Sequence, residues 1–172
     1  MEQAHMNLSG ARVVARYADG RLIKGYTFDF EPGRARFRVF PGPNAARPPA
    51  AVMLSELKAV FFVRDLAGNA HYSERKQFVE TDRAPGRRVE VTFADGEVLV
   101  GVAEGSESQA PGLFLVPVDS RSNNLKVYAV PSAIRGVRDL PKARPTGRAA
   151  LPARPRVAAP LLPRRLAAWL TG

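Results

Sequence analysis

Arg12-Val-Val-Ala-Arg-Tyr-Ala-Asp-Gly-Arg-Leu-Ile-Lys-Gly25 lies against Arg88-Val-Glu-Val-Thr-Phe-Ala-Asp-Gly-Glu-Val-Leu-Val-Gly101 at an offset of 76. In each stretch, apolar and polar residues alternate up to an Asp-Gly pair. Val13, Ala15 and Tyr17 share one face, and Val89, Val91 and Phe93 share the matching one. A period of two with β-branched and aromatic residues on one side predicts a half-buried strand. Asp19-Gly20 and Asp95-Gly96 supply residues that tolerate the positive φ of a tight hairpin. A second strand follows over 22–28 and 98–103. Gly25 and Gly101 recur inside these second strands, where they predict a bulge or sharp bend.

The offset continues outward. Phe37, Val39, Phe40 and Pro41 fall on Leu113, Leu115, Val116 and Pro117. One added residue then sets Leu54-Ser-Glu-Leu-Lys-Ala-Val60 against Pro131-Ser-Ala-Ile-Arg-Gly-Val137. Third strands are expected over 36–40 and 113–116, and fourth strands over 51–54 and 126–130. Single helical turns are expected at 55–58 and 132–135, with Ser55 and Ser132 read as caps or turn starters. A last strand closes each copy. The fold class is therefore all-β: a first small barrel over 11–65, a connector over 66–85, a second small barrel over 86–139 and a tail over 140–172. Units of about 55 residues bury little surface alone, so the copies are expected to pack as one body or share a sheet. Val100, Phe114 and Val116 make the second copy apolar where the first has Lys24, Arg38 and Phe40. Tyr72, Phe78 and Val79 leave room for an added strand in the connector.

The tail is a different material. It holds Lys142, Arg144, Arg148, Arg154, Arg156, Arg164 and Arg165 with no acidic residue, out of a whole-chain net charge of +10. Its proline, alanine and arginine carry no hydrophobic period, which predicts an extended, disordered segment. A short amphipathic helix is expected near its end, where Leu166, Trp169 and Leu170 are candidate partner-docking residues. There is no cysteine, which excludes disulfides, thiolate nucleophiles and cysteine-based metal sites. No apolar run reaches the ~20 residues of a membrane helix, and no secretory pattern marks the start. Cytoplasmic residence is the expectation.

No spacing assembles a catalytic set. His5 and His71 are the only histidines, and Asp19 and Asp95 are accounted for by their turns. The chain reads as non-catalytic, with no cofactor or metal, and as a protein-interaction or regulatory module with an unknown protein partner. Nucleic acid is the alternative partner. Arg34, Arg36 and Arg38 alternate with Ala35 and Phe37, and are expected to project from one face near Arg12 and Arg16, a strip suited to a phosphate backbone. Arg154, Arg156, Arg164 and Arg165 would add counterion release.

The opening hairpin, strand then Asp-Gly then strand glycine, resembles those of bacterial Sm-like and SH3-like small barrels. Tyr17 to Tyr26, Leu54 to Asp65, Val91 to Gly101 and Ser122-Asn-Asn-Leu-Lys-Val-Tyr128 together resemble an uncharacterised bacterial domain family, over about residues 12–139. That resemblance implies boundaries and no activity. A fainter one is to PilZ domains, which bind cyclic dinucleotides through an Arg-x-x-x-Arg pair before a barrel strand. Arg83-Ala-Pro-Gly-Arg87 fits that element, making Arg83 and Arg87 candidate ligand-binding residues. The second PilZ element is matched incompletely, with Ser106 at its acidic or amide position and Gly112 one residue late.

Overall fold

The computed structural model describes residues 10–43, 47–79, 81–82, 85–105 and 111–141. Ten strands form two antiparallel sheets. They are β1 (Ala11–Tyr17), β2 (Leu22–Thr27), β3 (Arg36–Val39), β4 (Ala50–Met53), β5 (Leu57–Val63), β6 (Arg87–Phe93), β7 (Val98–Glu104), β8 (Leu113–Pro117), β9 (Asn124–Ala129) and β10 (Ile134–Asp139). Single 3-10 turns at Leu54–Glu56 and Pro131–Ala133 lead into β5 and β10. Eight strands make one sheet in the order β10-β6-β7-β8-β9-β5-β1-β2, and β3 pairs with β4 in a second.

Pairing in the two halves runs in parallel. β1 pairs with β2 and β5, and β6 pairs with β7 and β10. Gly20 and Gly96 hold φ of 92° and 85° in the hairpin turns, a region open to glycine because it lacks a Cβ. Asp19 and Asp95 each accept the backbone N–H two residues on, at 3.0 Å, which fixes the turn. Tyr17 N–H donates to the Arg21 carbonyl and Phe93 N–H to the Glu97 carbonyl, closing the two hairpins alike at 2.9 Å. The halves differ at the third strand. β8 joins β7 in a full ladder, whereas β3 meets β2 only through a Tyr26–Phe40 bridge.

The halves meet where β5 pairs with β9, in a register that sets Ala59 opposite Ala129 and Phe61 opposite Val127. This shared sheet divides two cores. Val13, Ala15, Tyr17, Phe37, Val52 and Leu57 lie in one, which is completed by Tyr128 and Val130 from the second half. Val89, Val91, Phe93, Leu99, Leu115 and Val127 lie in the other, which is completed by Ala59, Phe61 and Val63 from β5. β5 is therefore apolar on both faces, in keeping with its near-continuous hydrophobic run. Phe30 sits edge-on to Phe37, Phe62 and Tyr128, with ring centroids 5.1–5.4 Å apart. Such edge-to-face contacts hold the first core against the second half's strands.

Three local expectations are corrected. Gly25 and Gly101 carry no bulge, because the β1–β2 and β6–β7 registers run through them unshifted. Their reason is close approach: a Cβ would lie 2.2 Å from the Phe40 carbonyl oxygen at Gly25 and 2.1 Å from that of Val116 at Gly101. Ser55 and Ser132 sit inside the 3-10 turns, which start after Met53 and Val130 without a side-chain cap, so the serines are turn residues and not caps. The described connector residues form no strand. They are instead pinned by polar contacts to the loop after β8. The tail beyond residue 141, with Arg154, Arg156, Arg164, Arg165, Leu166, Trp169 and Leu170, lies outside the described residues, as does Arg83.

Candidate interaction surfaces

The edge of the larger sheet is the most open element of the fold. β10 pairs only with β6, and five of its six residues are exposed. Its Val137 is 44% exposed, while Val60, one 77-residue offset earlier on β5, is fully buried. The difference is coverage: β9 lies along the outer edge of β5, and no strand among the described residues lies along the outer edge of β10. Arg138 forms a two-pronged ion pair with Glu90 at 2.9 Å, and Arg87 meets Asp139 at 3.3 Å. Arg87, singled out with Arg83, is thus engaged with the edge strand.

A second surface is the outward face of β3 and β4. Phe37 and Val39 point into the core while Arg36 and Arg38 point out, the alternation expected of a half-buried strand. Arg34, Arg36 and Arg38 line a groove of about 570 Å³ together with Asp29 and Ala51. Two of the three cations have partners. Arg34 pairs with Glu31 at 2.6 Å, and Arg38 pairs with Asp29 at 2.7 Å. Asp29 also accepts the Arg38 N–H at 3.0 Å. Arg38 and Thr27 hold the Asp29 carboxyl below its ordinary range despite partial burial, which pushes the other way.

The remaining arginines of the expected strip go elsewhere. Arg12 donates to the Arg64 carbonyl at 3.0 Å. Arg16 reaches across the junction between the halves to Glu97 at 2.7 Å. There it joins Lys58, whose ammonium contacts both Asp95 and Glu97 and lies 4.6 Å from the Phe93 ring centroid. The Lys58 side chain is only 4% exposed. Its hydrogen bond, followed by the Glu97 backbone N–H, holds Asp95 below its ordinary carboxylate range. The hairpin turn of the second half is thereby clamped to β5 of the first.

A third polar cluster fastens the connector. Asp119 is buried and accepts the Tyr72 hydroxyl at 2.5 Å and the backbone N–H groups of Arg75 and Arg121 at 3.0 Å. These donors, Tyr72 foremost, lower its pKa to about 2. Arg75 bridges Asp82 at 2.7 Å and the Val118 carbonyl at 2.9 Å. His71 is exposed on this connector. Among the described residues no three His, Cys, Asp or Glu side chains are placed to hold a metal, and no helix is long and apolar enough to cross a membrane.

Composition and alternation exposed the Arg34–Arg38 strip, but not its acidic partners. Lys58, Asp119 and Val137 were not singled out. The signal for Lys58 was present: a lone cation inside the apolar run Leu57–Val63 needs counter-charges within reach. Among the described residues, fold and surfaces define an all-β protein with two sheets, two cores and a sheet edge that no strand covers. Residues 9–140 match the model of a family of unknown function (DUF6982), and the chain belongs to that family. No curated protein and no solved structure matches the chain.

Proposed function

We propose that this chain is a non-catalytic protein-interaction module, built from two tandem SH3-like or Sm-like small-barrel units over 11–65 and 86–139, and that it binds through β10. One observation carries the reading: among the described residues, β10 ends the eight-stranded sheet with no strand paired to its outer edge, and Val137 is 44% exposed. Unpaired strand edges are templates for another extended segment, with main-chain hydrogen bonds supplying affinity and alternate side chains supplying choice. The matched hairpins, 3-10 turns and pairing of first with last strand support the duplicated unit. The test is a photo-crosslinking residue in place of Val137 in expressing cells. A discrete covalent adduct of the folded chain is expected, and its absence overturns the reading.

The groove at Arg34, Arg36 and Arg38 favours a second reading, RNA or DNA binding. Arg36 supports it, being exposed in the groove with no ion pair among the described residues. Labelled RNA and DNA should then bind with an affinity that falls steeply with salt. An Arg34→Ala, Arg36→Ala, Arg38→Ala variant of the full chain should bind at least several-fold more weakly. Equal binding by the variant removes the groove from consideration.

A further inference from the structure

Resting on the interaction-module reading, we infer that the partner at β10 is a second copy of this chain, joined by antiparallel β10–β10 pairing about a two-fold axis at Val137. The backbone direction is set by the contact that Leu140 N–H makes with the Arg88 carbonyl at 2.8 Å. Neighbouring residues in an antiparallel strand direct their N–H and C=O groups to opposite sides. The register sets Val137 opposite Val91 and Asp139 opposite Val89, so Leu140 and Arg138 face β6 while Asp139 and Val137 face away. The outer edge, to which no strand pairs among the described residues, therefore presents the backbone groups of Val137 and Asp139.

Charge selects the register. With Val137 opposite its own twin, Asp139 lies across from Arg135, the extra residue at the register shift between Ile134 and Gly136, so the axis brings two Arg135–Asp139 pairs together. Arg135 is exposed and makes no ion pair among the described residues. Asp139 is 68% exposed at its side chain and uses one oxygen, Oδ1, for Arg87, leaving Oδ2 for a second cation. The two neighbouring registers that keep outward backbone groups opposed are worse. One sets Arg138 against Arg138, and the other sets Val137 against Arg135. Opposite charges directly across a strand pair stabilise it, and like charges destabilise it. Val137, exposed at one copy's edge, would be covered by the same residue of the other. Isologous two-fold contacts of this kind are the commonest form of self-association. A six-residue edge is short against a stable interface, so dissociation is expected at micromolar rather than nanomolar concentration.

Sedimentation velocity of the full chain from micromolar to millimolar concentration reads the outcome, with circular dichroism confirming the fold of each variant. The wild-type chain should pass from monomer to dimer. Val137→Pro deletes only an outward N–H and leaves the ladder to β6 in place, and it should weaken dimerisation at least about tenfold. Arg135→Asp should do the same by placing like charges across the axis. Adding Asp139→Arg to Arg135→Asp should restore association. A chain monomeric throughout, or a dimer indifferent to Val137→Pro and to the charge swap, overturns the proposal. A monomeric chain that still yields a Val137 adduct with a different protein overturns the dimer alone. A monomeric chain with no adduct overturns both readings.

Discussion

Replacing Lys58 with methionine removes a cation buried between the halves while keeping most of its aliphatic length. Lys58 is 4% exposed at its side chain, against 44% for Asp95 and 30% for Glu97. Deleting one partner of a fully buried ion pair costs about 3–5 kcal/mol. Here both carboxylates reach water and Glu97 keeps Arg16 at 2.7 Å, so solvent screening reduces that figure to about 2 kcal/mol. Loss of the ammonium over Phe93 adds about 0.5–1 kcal/mol. Urea unfolding of full-length Lys58→Met at pH 7 should therefore show a loss of roughly 2–3 kcal/mol. Asp95 has its carboxyl lowered in the folded chain from the ordinary 3.8. Its contribution is then complete above that value and fades as pH drops through the folded one. The gap between wild type and Lys58→Met should accordingly narrow in acid. A loss below about 0.5 kcal/mol, or a gap that widens on acidification, refutes a stabilising clamp.

Other outcomes follow from the same geometry. Gly25→Ala and Gly101→Ala drive a Cβ into a neighbouring carbonyl oxygen and should each cost at least about 2 kcal/mol in thermal or urea unfolding. Gly136→Ala, with no atom within 4 Å of the added carbon, should change stability by less than about 0.5 kcal/mol. Asp119→Ala strands Tyr72 and the Arg75 and Arg121 amides, costing about 2 kcal/mol and exposing residues 66–82 to limited proteolysis. Because Asp119 sits near pKa 2 in the folded chain against the ordinary 3.8, its ionised form contributes stability that is lost as pH falls from the ordinary value through the folded one. The wild-type advantage over Asp119→Ala should be constant above about pH 4 and shrink toward pH 2.

Local chemistry made much of the fold readable. Alternation, Asp-Gly pairs and the shared spacing placed β1, β2, β6 and β7 within a residue or two, because hairpins are decided by neighbours in sequence. The junction was legible only in kind. The apolar Phe114 pointed to coverage, and it packs against the first core. Yet nothing local says that β5 chooses β9, a partner more than sixty residues away. The bulge expected at Gly25 and Gly101 is absent, and the actual need for glycine was hidden for the same reason, since the atoms that exclude a side chain belong to Phe40 and Val116. The arginine strip was over-read because charge counts do not show geometry: Glu31 meets Arg34 across one local turn, while Asp29 and Glu97 reach Arg38 and Arg16 only after the chain folds.

The two-faced character of β5 carries a consequence for biosynthesis. The first hydrophobic centre borrows Tyr128 and Val130, and these emerge from the ribosome only after nearly all of the second half. Until then Phe61 and Val63 have no cover from β6 to β9, so the nascent first half should leave apolar surface exposed during synthesis. Severing the chain within residues 66–85 should give fragments that stay sticky apart and become soluble when mixed.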